Sequence, residues 1–124
     1  MTWTTHRALS AVVAEGAGAP SSNLFAGIAA PPTPVDGGRH QYVEVAISDA
    51  VLGGTVAGSS CTLGVWRSSD GSIDKIGTLV VTGLNTVPVV FDFHGESIYV
   101  QVESFVGGTL PNISGTVRVR PVRL

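Results

Sequence analysis

The residue types that carry out chemistry are sparse in this chain, and their spacing does not bring them together. The histidines His6, His40 and His94 lie far apart, and none stands two or four residues from another. A metal site on one strand or one helical turn needs that spacing, so each histidine reads as a surface residue in a loop. Cys61 is the one cysteine, which excludes an internal disulfide and a thiolate zinc site. It alternates with Leu63 and Val65 and therefore reads as a buried, inert thiol. No G-x-S-x-G elbow marks a serine as a nucleophile. Asp70-Gly71-Ser72-Ile73-Asp74 has two acids of a calcium loop without the remaining ligands, so a hairpin turn is expected there. The glycines at 52–58 and 107–108 precede neither a helix nor a lysine, which leaves no cradle for phosphate. No catalytic residue, metal ligand or cofactor is expected, and no enzyme.

The remaining candidates are residues for contact. Trp66 is out of phase with Leu63 and Val65, and Tyr99 is out of phase with Val100, so both are expected on the outer face of a sheet. There they would either serve as surface aromatic contacts, as a platform for a sugar ring or an anchor for a protein, or be covered by a second layer such as the N-terminal arm. Leu24, Phe25 and Ile28 are apolar residues within a proline-rich stretch. They are expected either to tuck back onto their own domain or to dock on a neighbouring subunit. The sequon Asn112-Ile113-Ser114 is read as chance. The formal charge of −2 leaves no electrostatic footprint for nucleic acid or an anionic membrane. Ala8–Ala14 is a short apolar run, but it lacks a basic region before it and meets Glu15 at once, so no signal peptide is read there.

The elements that must position these residues are strands. Glycine is abundant at 16 residues and charged residues make up 13% of the 124, against about a quarter in an ordinary soluble domain. Such a shortage suggests surface that a partner or further copies of the chain cover. Thr86–Phe105 shows the pattern at its strongest. Val87, Val89, Phe91 and Phe93 fall on one face, then Ile98, Val100 and Val102 alternate with Tyr99, Gln101 and Glu103. A β-hairpin with a four-residue loop at His94–Ser97 is expected. Further strands are expected at Gln41–Asp49, Ser60–Arg67, Lys75–Thr82 and Ile113–Arg123, with Asp70-Gly71 as a tight turn. Glu44, Glu103, Arg118 and Arg120 are expected to pair across strands on one sheet face. Residues 1–9 are expected to form a strand, and 8–18 either continue it or form a helical turn. Ala19–Gly38 holds Pro20, Pro31, Pro32 and Pro34 and is expected to be an extended arm. The chain thus reads as residues 1–40, an N-terminal strand and arm, followed by a domain at 41–124. Its expected fold is all-β: an antiparallel β-sandwich, jelly-roll or immunoglobulin-like, of about 7–8 strands, with a Pro/Gly-rich N-terminal arm.

The arm APSSNLFAGIAAPPTPVDGG and the series CTLGVW, GTLVVTG, PVVFDF, SIYVQVESF and GTVRVRPV together resemble the small β-sandwich virion proteins of tailed bacteriophages, most of all head decoration (cement) proteins. The resemblance is one of style across nearly the whole chain and carries over no individual residues. It implies a structural protein of the virion, located on the capsid surface. Such a protein binds the major capsid protein or other virion subunits, often as a homo-oligomeric trimer at three-fold positions, and cross-bridges the shell. A tail, collar or fibre component is the alternative within a virion, and a carbohydrate-binding module the alternative outside it. Neither nucleic acid nor membrane is an expected partner. If the arm docks, a chain lacking residues 1–38 should fold and fail to bind its particle.

Overall fold

The computed structural model describes residues 3–20, 33–34, 42–69 and 72–122. Among them the strands are β1 (Thr4–Val12), β2 (Thr33–Pro34), β3 (Tyr42–Gly53), β4 (Ser60–Ser69), β5 (Ser72–Val81), β6 (Val89–Asp92), β7 (Ser97–Val106) and β8 (Asn112–Val122). Two antiparallel sheets result, in the orders β1-β8-β3-β6 and β2-β7-β4-β5. The pairing is nested: β1 pairs with β8, β2 with β7, β3 with β6 and β4 with β5. A long hairpin folded over on itself, with successive pairs assigned alternately to the two sheets, produces this order. Of the two expected sandwich topologies, it is the jelly roll.

Alternation along each strand builds the core. Val43, Val45 and Ile47 of β3, Val117 and Val119 of β8, and Leu9 of β1 face Cys61, Leu63 and Val65 of β4 and Ile98, Val100 and Val102 of β7. Fully burying an aliphatic side chain of this kind stabilises by roughly 1.5–3 kcal/mol. The two apolar faces therefore hold the sheets together, and the surface ion pairs add little.

The stretch Thr86–Phe105 departs from expectation. Its two strands do not form a hairpin, because β6 pairs with β3 in one sheet and β7 pairs with β4 in the other. Between them the backbone turns at His94, where φ is 43°. Arg67 of β4 holds the crossing by donating to the carbonyl oxygens of Phe93 and His94. The Glu96 amide also donates to the Ser68 carbonyl at 2.8 Å. Alternation specifies which face is buried, and it is silent about which strand supplies the ladder.

At the N-terminus the strand reading prevails over the helical turn. β1 continues to Val12, with irregularities between Thr5 and Arg7 and between Leu9 and Val12. It is an outer strand of the sandwich itself, so removing residues 1–38 would strip β8 of a partner and the core of Leu9. That truncation is no test of the arm. Leu24, Phe25 and Ile28, like the turn residues Asp70 and Gly71, lie outside the described residues.

Candidate interface

Trp66 and Tyr99 stand directly opposite each other on β4 and β7. They form a cluster of their own with Ile73, separate from the core between the sheets. Their placement on the outer face agrees with the alternation, and of the alternatives for that face it is the covering layer that the structure shows. Trp66 is 7% exposed and Tyr99 is 1% exposed. The reason is tertiary: β1 brings polar side chains onto Tyr99. Arg7 Nη1 donates to the Tyr99 hydroxyl at 3.1 Å, and the His6 ring meets the Tyr99 ring edge-on at 5.8 Å. Neither aromatic presents a ring face on which a sugar could stack.

The same side chains complete the open edge of β7. Among the described residues, β2 pairs with β7 at Ile98 and Ser97. Further along, the Val100 amide donates to His6 Nε2 at 3.0 Å, and Arg7 Nη1 donates to the Val100 carbonyl at 3.1 Å. Glu15 then acts as a short strand would. Its amide donates to the Val102 carbonyl at 2.7 Å, and its Oε1 accepts the Val102 amide at 2.8 Å. Arg7 grips the Glu15 carboxylate with two hydrogen bonds of 2.7 Å each. Burial, with the neighbouring Arg7 charge, lowers the His6 pKa to about 4. Burial opposes the charges of Arg7 and Glu15, yet their mutual hydrogen bonds and attraction leave Arg7 raised and Glu15 lowered. His6, expected in a surface loop, is thus a buried neutral acceptor in a strand.

Charged groups elsewhere form separate pairs. Glu44 and Arg120 pair across β3 and β8 as expected, at 2.6 Å, and the Arg120 guanidinium lies 4.7 Å from the centre of the Trp3 ring. Arg118 donates instead to Ser48 Oγ at 3.3 Å. Glu103 belongs to the other sheet and pairs with Lys75. Asp92 pairs with His94. Among the described residues no group of three or more His, Cys, Asp or Glu side chains is placed to hold a metal ion.

A different feature emerges at one end of the sandwich. The β3–β4 loop meets the β7–β8 loop through a bridge between Val56 and Thr109, with hydrogen bonds of 3.1 and 2.8 Å. The β5–β6 loop joins the same end, since Ala50 donates to the Leu84 carbonyl at 2.7 Å and Asp49 to Asn85 Oδ1 at 3.2 Å. These three loops come from uncharged runs, residues 50–66, 76–91 and 104–117. Val56 and Leu84 are more than half exposed on them, Leu110 is 75% exposed and Val87 is 82% exposed. Leu110 also sits at φ 47°, a left-handed backbone that glycine or asparagine would adopt more readily. Gly54 permits the close approach of the loops: at φ 124°, a Cβ there would meet the Leu110 carbonyl oxygen at 2.6 Å.

At the other end of the strands lie Arg67, Asp92, His94 and Glu96, together with the Glu44–Arg120 pair. The three loops are thus free of charge, and Asp49 of β3 is the charged residue beside them. The sequence shows the uncharged runs, but only the nested pairing brings them to one end. In comparisons with known proteins, no family model matches the chain, and no curated protein and no solved structure matches it.

Proposed function

We propose that this chain is a structural virion protein of the decoration type, which seats its apolar loop end on the capsid surface. The observation that carries the reading is the apolar end formed by Val56, Leu84 and Leu110 on uncharged loops, with Asp49 of β3 as the charged residue beside them. Exposed apolar side chains gathered in one place are costly in water and mark interaction surfaces. A leucine held in left-handed backbone at the tip adds a local cost that a contact would offset. Jelly rolls serve viral shells, lectins and enzymes alike, so the fold admits this reading without carrying it. The major capsid protein is the proposed partner, and many weak identical contacts would combine into firm attachment. The tail, collar or fibre alternative shares the same surface and differs in copy number. The sugar-binding reading loses its platform with the burial of Trp66 and Tyr99.

The test is density-gradient fractionation of particles from the source, with mass spectrometry for this chain. Banding at a copy number near that of the major shell protein is expected. A few copies per particle would move the protein to the collar or tail, and recovery only from the soluble fraction would end the virion reading. Leu110→Asn examines the proposed end. Asparagine tolerates the left-handed backbone, so the fold should keep its stability while rebinding to stripped particles weakens at least tenfold.

A further inference from the structure

We infer that the free edge of β5 pairs with the same edge of a second copy of this chain, across a two-fold axis at Leu79, joining two β2-β7-β4-β5 sheets into one. This does not rest on the particle reading, and its surface adjoins the loop end at Asn85–Val87. β5 ends its sheet, and among the described residues no strand lies beyond it. An edge of unpaired amides and carbonyls is a template for another strand unless charge, proline or a bulge blunts it. Here the blunting devices occupy only the first half of β5. Asp74 and Lys75 are its charged residues, and the irregularity that leaves Ile76 unpaired follows them. From Ile76 through Phe91 no charged residue occurs.

The unguarded half is its own complement. With the axis at Leu79, antiparallel pairing sets Thr78 against Val80, Gly77 against Val81 and Ile76 against Thr82, and no charge faces a like charge. Leu79, buried in the core, would extend the inner apolar face across the junction. Thr78 and Val80 share the outer face, opposite Gly64 and Thr62 of β4. Val80 is 54% exposed there. Beside the edge runs an uncharged groove of about 390 Å³, lined by Thr78, Val80, Asn85, Thr86, Val87 and Val89, which the second copy would cover. An isologous contact of this kind closes on itself, giving a dimer and no open chain.

Light scattering during size exclusion of the purified full chain, across a concentration series, tests the inference. Twice the chain mass is expected. Val80→Lys and Val80→Glu should each weaken the dimer at least tenfold, since the two substituted residues face each other diagonally across the axis. An equimolar mixture of the two variants should recover the dimer. A monomeric wild type, a dimer that Val80→Lys leaves intact, or a mixture that stays monomeric would each overturn it. Circular dichroism establishes that the variants fold. Should they not, amide exchange of the wild type decides, because protection of Gly77–Val81 must rise with protein concentration, and unchanged protection also overturns the inference.

Discussion

His6 Nε2 accepts the Val100 amide hydrogen at 3.0 Å, so a side chain takes a place in the β7 ladder that a neighbouring strand would otherwise fill. Together with Arg7 and Glu15 it joins the outer strand of one sheet to the other sheet. This junction is polar and partly titratable, unlike the apolar core beside it.

Acid should loosen it. In the unfolded chain His6 takes up its proton near the ordinary value of 6.5, whereas the folded chain resists until about 4. Between those values the unfolded state binds more protons, so stability falls as pH drops from 6.5 towards 4. At about 1.4 kcal/mol per pKa unit the loss approaches about 3 kcal/mol. Glu15, whose carboxyl is held below its usual range, adds a further loss at lower pH. Urea midpoints measured from pH 7 to pH 4 should show this slope, and His6→Gln, an acceptor that does not titrate, should flatten it. An equally steep slope in the variant would refute the assignment to His6.

Glu15→Ala should cost about 3 kcal/mol, because it leaves the buried Arg7 guanidinium without its anion and the Val102 amide without its acceptor. Replacing Arg7 by Met in the same chain should restore part of the loss. A double-mutant cycle by chemical denaturation gives both figures. A single-variant cost below about 0.5 kcal/mol, the size of a surface pair, would contradict the geometry.

Two glycine positions separate close packing from open space. A Cβ on Gly77 would fall inside contact distance of the Phe91 ring, while one on Gly83 meets nothing within 4 Å. Gly77→Ala should destabilise by about 1–3 kcal/mol as the ring is displaced. Gly83→Ala should be neutral or stabilise by up to about 1 kcal/mol through the unfolded chain. Thermal denaturation of the two variants side by side makes the comparison.

Cys61 should be unreactive in the folded chain. Burial pushes its thiol up to about 11, so little thiolate exists at neutral pH, and the side chain is enclosed in the core. A chromogenic disulfide reagent at pH 8 should label it at the rate of global unfolding, then fully in denaturant. Rapid labelling of the native chain would place the thiol elsewhere.

Much of the fold was legible in local pattern. The alternation of Val43, Val45 and Ile47, of Cys61, Leu63 and Val65, and of Ile98, Val100 and Val102 identified the buried faces, because strand side chains have a period of two whatever their neighbours. The cross-strand pair Glu44–Arg120 followed from the same phase. The phase of Trp66 and Tyr99 places them on the outer face, but it does not decide whether that face is open or covered, because β1 is nearly a hundred residues from Tyr99 in sequence. The candidate interface was invisible for a similar reason: the runs containing Val56, Leu84 and Leu110 are ordinary loops until they are placed side by side.

By itself, then, the sequence determined the all-β class, the two-faced strands and the scarcity of charge, all of which depend on residues within a few positions of one another. Tertiary structure alone decided that β6 and β7 part into different sheets, that β1 caps the edge of β7, and that three uncharged loops share one end. These depend on strand pairing between distant segments, whose partners are selected by the packing of the whole core and not by the pattern within any one strand.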